Sequence, residues 1–121
     1  MRITLIIGLP ASGKTTYAKT LGGFLLDDPQ SVNELPLECD HLVITDPNFC
    51  ISTNLDKAIS ILKKKYGEST VIDRIYFEND PIQCYKNAVK RIDKPVTSSI
   101  KALSSVYIPN NNYKIIPCYN K

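Results

Sequence analysis

The chain predicts an α/β fold built on a parallel sheet, and three features of its sequence carry that expectation. Residues 8–15, Gly-Leu-Pro-Ala-Ser-Gly-Lys-Thr, match G-x-x-x-x-G-K-[ST], a pattern that joins a strand to a helix. The run ahead of it, Ile3-Thr4-Leu5-Ile6-Ile7, is largely apolar and β-branched, as suits a strand covered on both faces. Beyond the loop, short apolar runs alternate with stretches of helical period, and such alternation yields parallel strands joined by helical crossovers.

The elements follow in order. Residues 14–21 predict a helix that Gly22-Gly23 stops. Phe24-Leu25-Leu26 predicts a short second strand closing on Asp27-Asp28-Pro29. Residues 30–40 carry Pro36 and little periodicity, which fits a loop or one broken helical turn. Leu42-Val43-Ile44-Thr45 is the third strand, stopped by Asp46-Pro47-Asn48. Thr53 and Asp56 resemble a capping box for a helix that sets Leu55, Ala58, Ile59 and Leu62 on one face. Its C-terminal Lys63-Lys64-Lys65 suits the helix dipole, and Gly67 ends it.

Residues 71–77 form the fourth strand. Asp80 then caps a helix, with Pro81 in the first turn and Gln83 three residues after the cap. Its expected buried stripe is Ile82, Tyr85, Val89 and Ile92, opposite a polar stripe of Lys86, Asn87, Lys90 and Arg91. Pro95 interrupts, and residues 98–107 predict a further helix with Ile100, Leu103 and Tyr107 inward. The turn Pro109-Asn110-Asn111-Asn112 leads to a fifth strand at residues 113–116.

A length of 121 residues suits one domain spanning 1–121. The net charge of +3 is too mild to indicate nucleic acid by itself. Cys39, Cys50, Cys84 and Cys118 lie far apart with no C-x-x-C pair, the pattern of reduced thiols in a cytoplasmic protein rather than a zinc site or disulfide frame. No apolar run is long enough to span a membrane, and the N-terminal one is too short for a signal sequence. His41 simply begins a strand.

The residue types in the loop have a chemical logic. Gly8 and Gly13 let the backbone through Pro10, Ala11 and Ser12 curl so that the N–H groups beyond the proline surround phosphate oxygens. Lys14 reaches the β- and γ-phosphates of a nucleoside triphosphate, Thr15 offers a hydroxyl to Mg²⁺, and Thr16 follows in the same first helical turn. In open parallel sheets, ligands sit beyond the carboxyl ends of the strands. That rule singles out Asp27 or Asp28 as a general base and Asp46 as a carboxylate near Mg²⁺, although Asp-Asp-Pro and Asp-Pro are also good turn chemistry. Lys86, Lys90 and Arg91 lead into a small lid at about 86–96, where cations suit a transferring phosphate; a solvated basic face is the ordinary alternative.

Residues 8–18 and the strand end Val43-Ile44-Thr45-Asp46-Pro47-Asn48 resemble the phage-type polynucleotide 5′-hydroxyl kinases of the P-loop NTPase superfamily. Lys86, Asn87, Lys90 or Arg91, Lys94, Val96, Ile100, Leu103 and Tyr107 fall at nearly that family's lid spacing, so the resemblance covers roughly residues 1–107. It implies a three-layer nucleotide-kinase-like fold with a five-stranded parallel sheet in order 2-3-1-4-5. It further implies ATP with Mg²⁺ as donor, the base within Asp27-Asp28, and basic lid residues on the donor phosphates. One departure stands out: the family places an Arg shortly after its catalytic Asp, and Pro29-Gln30-Ser31-Val32-Asn33 has none. The expected activity is transfer of the γ-phosphate to a hydroxyl, on a nucleic-acid 5′ end or a nucleoside-like acceptor. The alternatives are a nucleotide (monophosphate) kinase and an ATP-binding or ATP-hydrolysing module. Oligomeric state is not legible.

Overall fold

The computed structural model describes residues 1–90 and 97–119. Five strands form one sheet: β1 (Arg2–Ile7), β2 (Phe24–Asp27), β3 (His41–Thr45), β4 (Val71–Phe77) and β5 (Lys114–Ile116). All neighbours are parallel and the order is β2-β3-β1-β4-β5, the order that the resemblance implies. Strand β1 is central, with Leu5 registered between Ile44 and Arg74. Its Ile3, Leu5, Ile6 and Ile7 have no solvent exposure, which is why the segment reads as a continuous apolar run.

Successive β1 residues serve opposite faces. Ile3, Leu5 and Ile7 join the larger core with residues of α2 (Ser52–Tyr66), α3 (Pro81–Ala88) and α4 (Thr97–Ser104), including Leu55, Leu62, Cys84, Ala88 and Ile100. Ile6 packs with Ala18 of α1 (Lys14–Lys19), Val43 and Phe77 in a smaller core on the other face. From β1 the chain goes to the β2 edge, returns through β3, and then crosses to β4 and β5. The direction therefore reverses between β1 and β3, and the crevice at their carboxyl ends is the ligand position of such sheets.

Two expectations are corrected. Thr53 and Asp56 form no capping box: α2 begins at Ser52, its N-cap is Ile51, and no side chain caps it. The chain enters α2 straight from a 3₁₀ turn at Pro47–Cys50, so Thr53 already lies inside the first turn, and the Ile51 carbonyl accepts from the Asn54 and Leu55 N–H groups. The apolar stripe of α3 is also rotated. Ile82 is 68% exposed and Val89 74%, whereas Cys84, Asn87 and Ala88 are buried; Ile92 lies outside the described residues. This helix faces backbone, from the glycine loop and the C-terminal segment, and close backbone approach admits small side chains and an amide rather than branched ones.

Elsewhere the local chemistry is as expected. Asp80 caps α3 by accepting from the Gln83 N–H at 3.0 Å. The Tyr107 hydroxyl, just beyond α4, donates to the carbonyls of Ile7 and Phe77, joining the ends of β1 and β4. Asn79 Nδ2 donates to the carbonyls of Ser104 and Tyr107 and anchors the same corner. Because Leu5 is fully buried in the larger core, Leu5→Ala is expected to lower stability by about 2–5 kcal/mol, read as a lower denaturant midpoint in equilibrium unfolding.

Candidate functional site

The loop after β1 is held in a tight curl. Ala11 (φ 64°) and Gly13 (φ 100°) are both left-handed, and the Ser12 N–H donates to the Leu9 carbonyl at 3.2 Å. At Gly8 a side chain has no room: a Cβ there would lie 2.9 Å from both Phe77 Cβ and Ser12 Oγ. The Lys14 side chain folds back into this curl, and its Nζ donates to the carbonyls of Gly8 at 2.8 Å and Leu9 at 2.7 Å. An ammonium has three donors, so one remains for an incoming acceptor. Burial lowers the Lys14 pKa, while the carboxylates of Asp27 and Asp46 act in the opposite sense and favour the charged form.

In front of the loop opens a cleft of about 690 Å³, within the size range of small-ligand sites. Pro10, Ala11, Gly13, Lys14, Thr15 and Thr16 form one wall. Asp27, Asp28, Pro47 and Asn48 form a second, and Asn87, Ser99, Leu103 and Tyr119 complete the rim. The structure thus brings both candidate bases to the same cavity as Lys14. Thr45 Oγ1 donates to Asp27 Oδ1 at 2.6 Å and fixes that carboxylate. Asp28 is left-handed (φ 53°), a conformation uncommon for a residue with a side chain; its N–H donates to the Thr45 carbonyl at 2.6 Å and its carbonyl accepts from Gln30 Nε2 at 2.9 Å.

Asp46 does not border the cleft. It is half-buried and caps the 3₁₀ turn by accepting from the Asn48 N–H at 2.9 Å. Burial raises its pKa, the Asn48 N–H opposes that shift, and the neighbouring Asp28 charge reinforces it. Contrary to the expectation, Gly8 and Ser12 are buried within the loop and do not border the cleft: the Ser12 N–H is turned to the Leu9 carbonyl, and Ser12 Oγ has no partner among the described residues. Lys86 and Lys90 are exposed at the end of α3 and neither borders the cleft, while Arg91 and Lys94 lie outside the described residues.

Among the described residues no three or more His, Cys, Asp or Glu side chains gather as a metal cage. A magnesium ion does not require one, since it takes one or two protein oxygens and completes its octahedron with phosphate and water. Thr15 and Asp46 offer oxygens of that kind. Sequence reasoning names Asn87 only on the polar stripe and at the family's lid spacing, and misses Tyr119. Asn87 looked like part of a polar surface, although it is 2% exposed. Tyr119 follows β5, and the carboxyl-end rule applied to the fifth strand as to the first four points to it. No protein-family model matches the chain, and no curated protein matches it.

The state of Asp46 has a measurable consequence. Asp46→Asn keeps an oxygen for the Asn48 N–H and removes a half-buried charge. Because the folded chain raises this carboxyl's pKa, folding favours the protonated form, and ionisation opposes stability above the folded pKa. The variant is expected to melt above the wild type near neutral pH. Its advantage should shrink as pH falls through the folded pKa toward the ordinary carboxylate range. Thermal unfolding across that range checks both.

Proposed function

We propose that this chain is a small P-loop kinase that transfers the γ-phosphate of ATP to a hydroxyl group. The observation that carries the reading is one cavity lined together by the buried Lys14, from a loop with two left-handed residues, and by Asp27 and Asp28. Phosphoryl transfer asks a protein for positioning and charge neutralisation, and these are the groups it asks for.

In this scheme the loop and Lys14 would hold the β- and γ-phosphates, and Thr15, with Asp46 set back behind the cleft and reaching through water, would hold Mg²⁺, which would supply positive charge against the phosphates. Asp27, already oriented by the Thr45 hydroxyl, is the better placed base. It accepts the proton of the acceptor hydroxyl as the new O–P bond forms. The bond between the γ-phosphorus and the bridging oxygen breaks, and ADP leaves. Asp28, in its left-handed conformation beside it, borders the acceptor side.

The acceptor is a hydroxyl compound, with a nucleic-acid 5′ end or a nucleoside as the class that the sequence resemblance favours. A nucleotide (monophosphate) kinase needs a cation for the acceptor phosphate. Arg2 is paired with Asp73 at 2.7 Å, Arg74 lies 5.1 Å from the Tyr113 ring, and neither borders the cleft. Among the described residues, then, neither arginine serves an acceptor phosphate, which is what the monophosphate reading requires.

Lys14→Ala is expected to abolish turnover and weaken ATP binding. Asp27→Asn should lower transfer by about 10²–10⁴-fold with ATP still bound, as loss of a general base does, and Asp28→Asn should be milder. The decisive measurement is γ-labelled ATP offered to 5′-hydroxyl oligonucleotides, nucleosides, nucleoside monophosphates, small alcohols and water. Label reaching only inorganic phosphate would leave an ATPase and remove the transferase.

A further inference from the structure

We propose that Asn87 is the positioning residue of the phosphate loop, fixing its curvature by tying it to α3 and to the C-terminal segment. The inference rests on the reading of residues 8–15 as a phosphate cradle and adds a residue that the motif does not contain. Asn87 lies on α3, far from the loop in sequence, yet it is 2% exposed and its amide is fully engaged. Nδ2 donates to the Ala11 carbonyl at 2.9 Å and to the Tyr119 carbonyl at 2.6 Å. Oδ1 accepts from Gln83 Nε2 at 3.0 Å, one turn earlier on the same helix. Two carbonyls on one side demand the NH₂ there, so the amide has a single acceptable orientation.

The residue it holds is the strained one. Ala11 adopts φ 64° without being glycine, and such a conformation persists only where surrounding contacts determine it. The Ala11–Ser12 peptide is pinned at both ends, its carbonyl by Asn87 and its N–H by the Leu9 carbonyl at 3.2 Å. The next carbonyl, that of Ser12, accepts from the Tyr119 N–H at 2.9 Å. Tyr119 thus meets the loop directly through its N–H and indirectly through Asn87. Its Cβ also fills the space where a Cβ on Gly13 would stand, 2.5 Å away. With these peptides fixed, the N–H groups that follow at the start of α1 have a fixed direction into the cleft. Asn87 itself reacts with nothing; it acts through the loop.

The test measures binding of ATP and of inorganic tripolyphosphate, each with Mg²⁺, by titration calorimetry on the wild type, Asn87→Ala and Asn87→Asp. Asn87→Ala is expected to weaken both probes alike by about 10–100-fold, since the loop and not the base is misplaced. Asn87→Asp sets a carboxylate against two carbonyls when ionised and regains one donor when protonated. Its affinity relative to the wild type should therefore rise as pH falls, a dependence that loss of packing alone does not produce. Circular dichroism restricts the comparison to folded protein, and amide exchange at Tyr119 should quicken in Asn87→Ala whether or not a ligand is present. Wild-type binding with unchanged affinity in both folded variants overturns the role of Asn87 alone. A wild type that binds neither probe overturns the phosphate-cradle reading, and this inference with it.

Discussion

A strand buried on both faces gives its chain one exit, over the carboxyl edge of the sheet. Strand β1 is such a strand, paired on both sides and without solvent exposure at Ile3, Leu5, Ile6 and Ile7. Whatever follows Ile7 must turn at once, close to the ends of β3 and β4, and the available space is small. Gly8 has Phe77 and Ser12 against it, and the Tyr107 hydroxyl already occupies the Ile7 carbonyl. The curl of residues 8–13, with two left-handed residues, is the geometric answer to that crowding. Neighbouring elements are placed around the same edge.

The crowding also fixes the electrostatics. A lysine emerging from so tight a turn is driven into it, and Lys14 satisfies two carbonyls that no regular structure would pair. Burial works against the charge, and the carboxylates at the ends of β2 and β3 work for it. Lys14, Asp27 and Asp28 are therefore set around one cavity by the fold itself, and on the proposed reading such a preorganised arrangement is the one in which electrostatic catalysis costs least reorganisation. The half-buried Asp46, whose ionisation burial opposes, shows the reverse side of that arrangement: a site of converging charge is not a site of maximal stability.

Sequence and structure agree where side-chain pattern decides the outcome. The five strands are apolar runs of the right length, β4 occupies the expected residues, and the Asp80 cap is where its spacing puts it. They part where backbone decides. The sequence pattern puts Ile82, Tyr85, Val89 and Ile92 on the buried face of α3, but the helix packs on carbonyls of Ala11 and Tyr119, so Asn87 turns inward and Ile82 and Val89 outward, while Tyr85 stays partly buried. The start of α2 was likewise displaced by a 3₁₀ turn that feeds it directly. In the site, the loop, Lys14, Asp27 and Asp28 were legible because a motif and a topological rule name them. Tyr119 is reached only by extending that rule to β5, because a contact between residues 12 and 119 leaves no trace in local pattern.

That contact also bears on how the molecule is born. A ribosome delivers the glycine curl long before Tyr119, yet the bonds from Tyr119 to Ser12 and to Asn87 wait until every residue between them has been synthesised. Loop closure over such a span is among the slower events in assembly. The loop is thus tied down by a partner made long after it, and a nascent chain carries it half-secured until Tyr119 emerges.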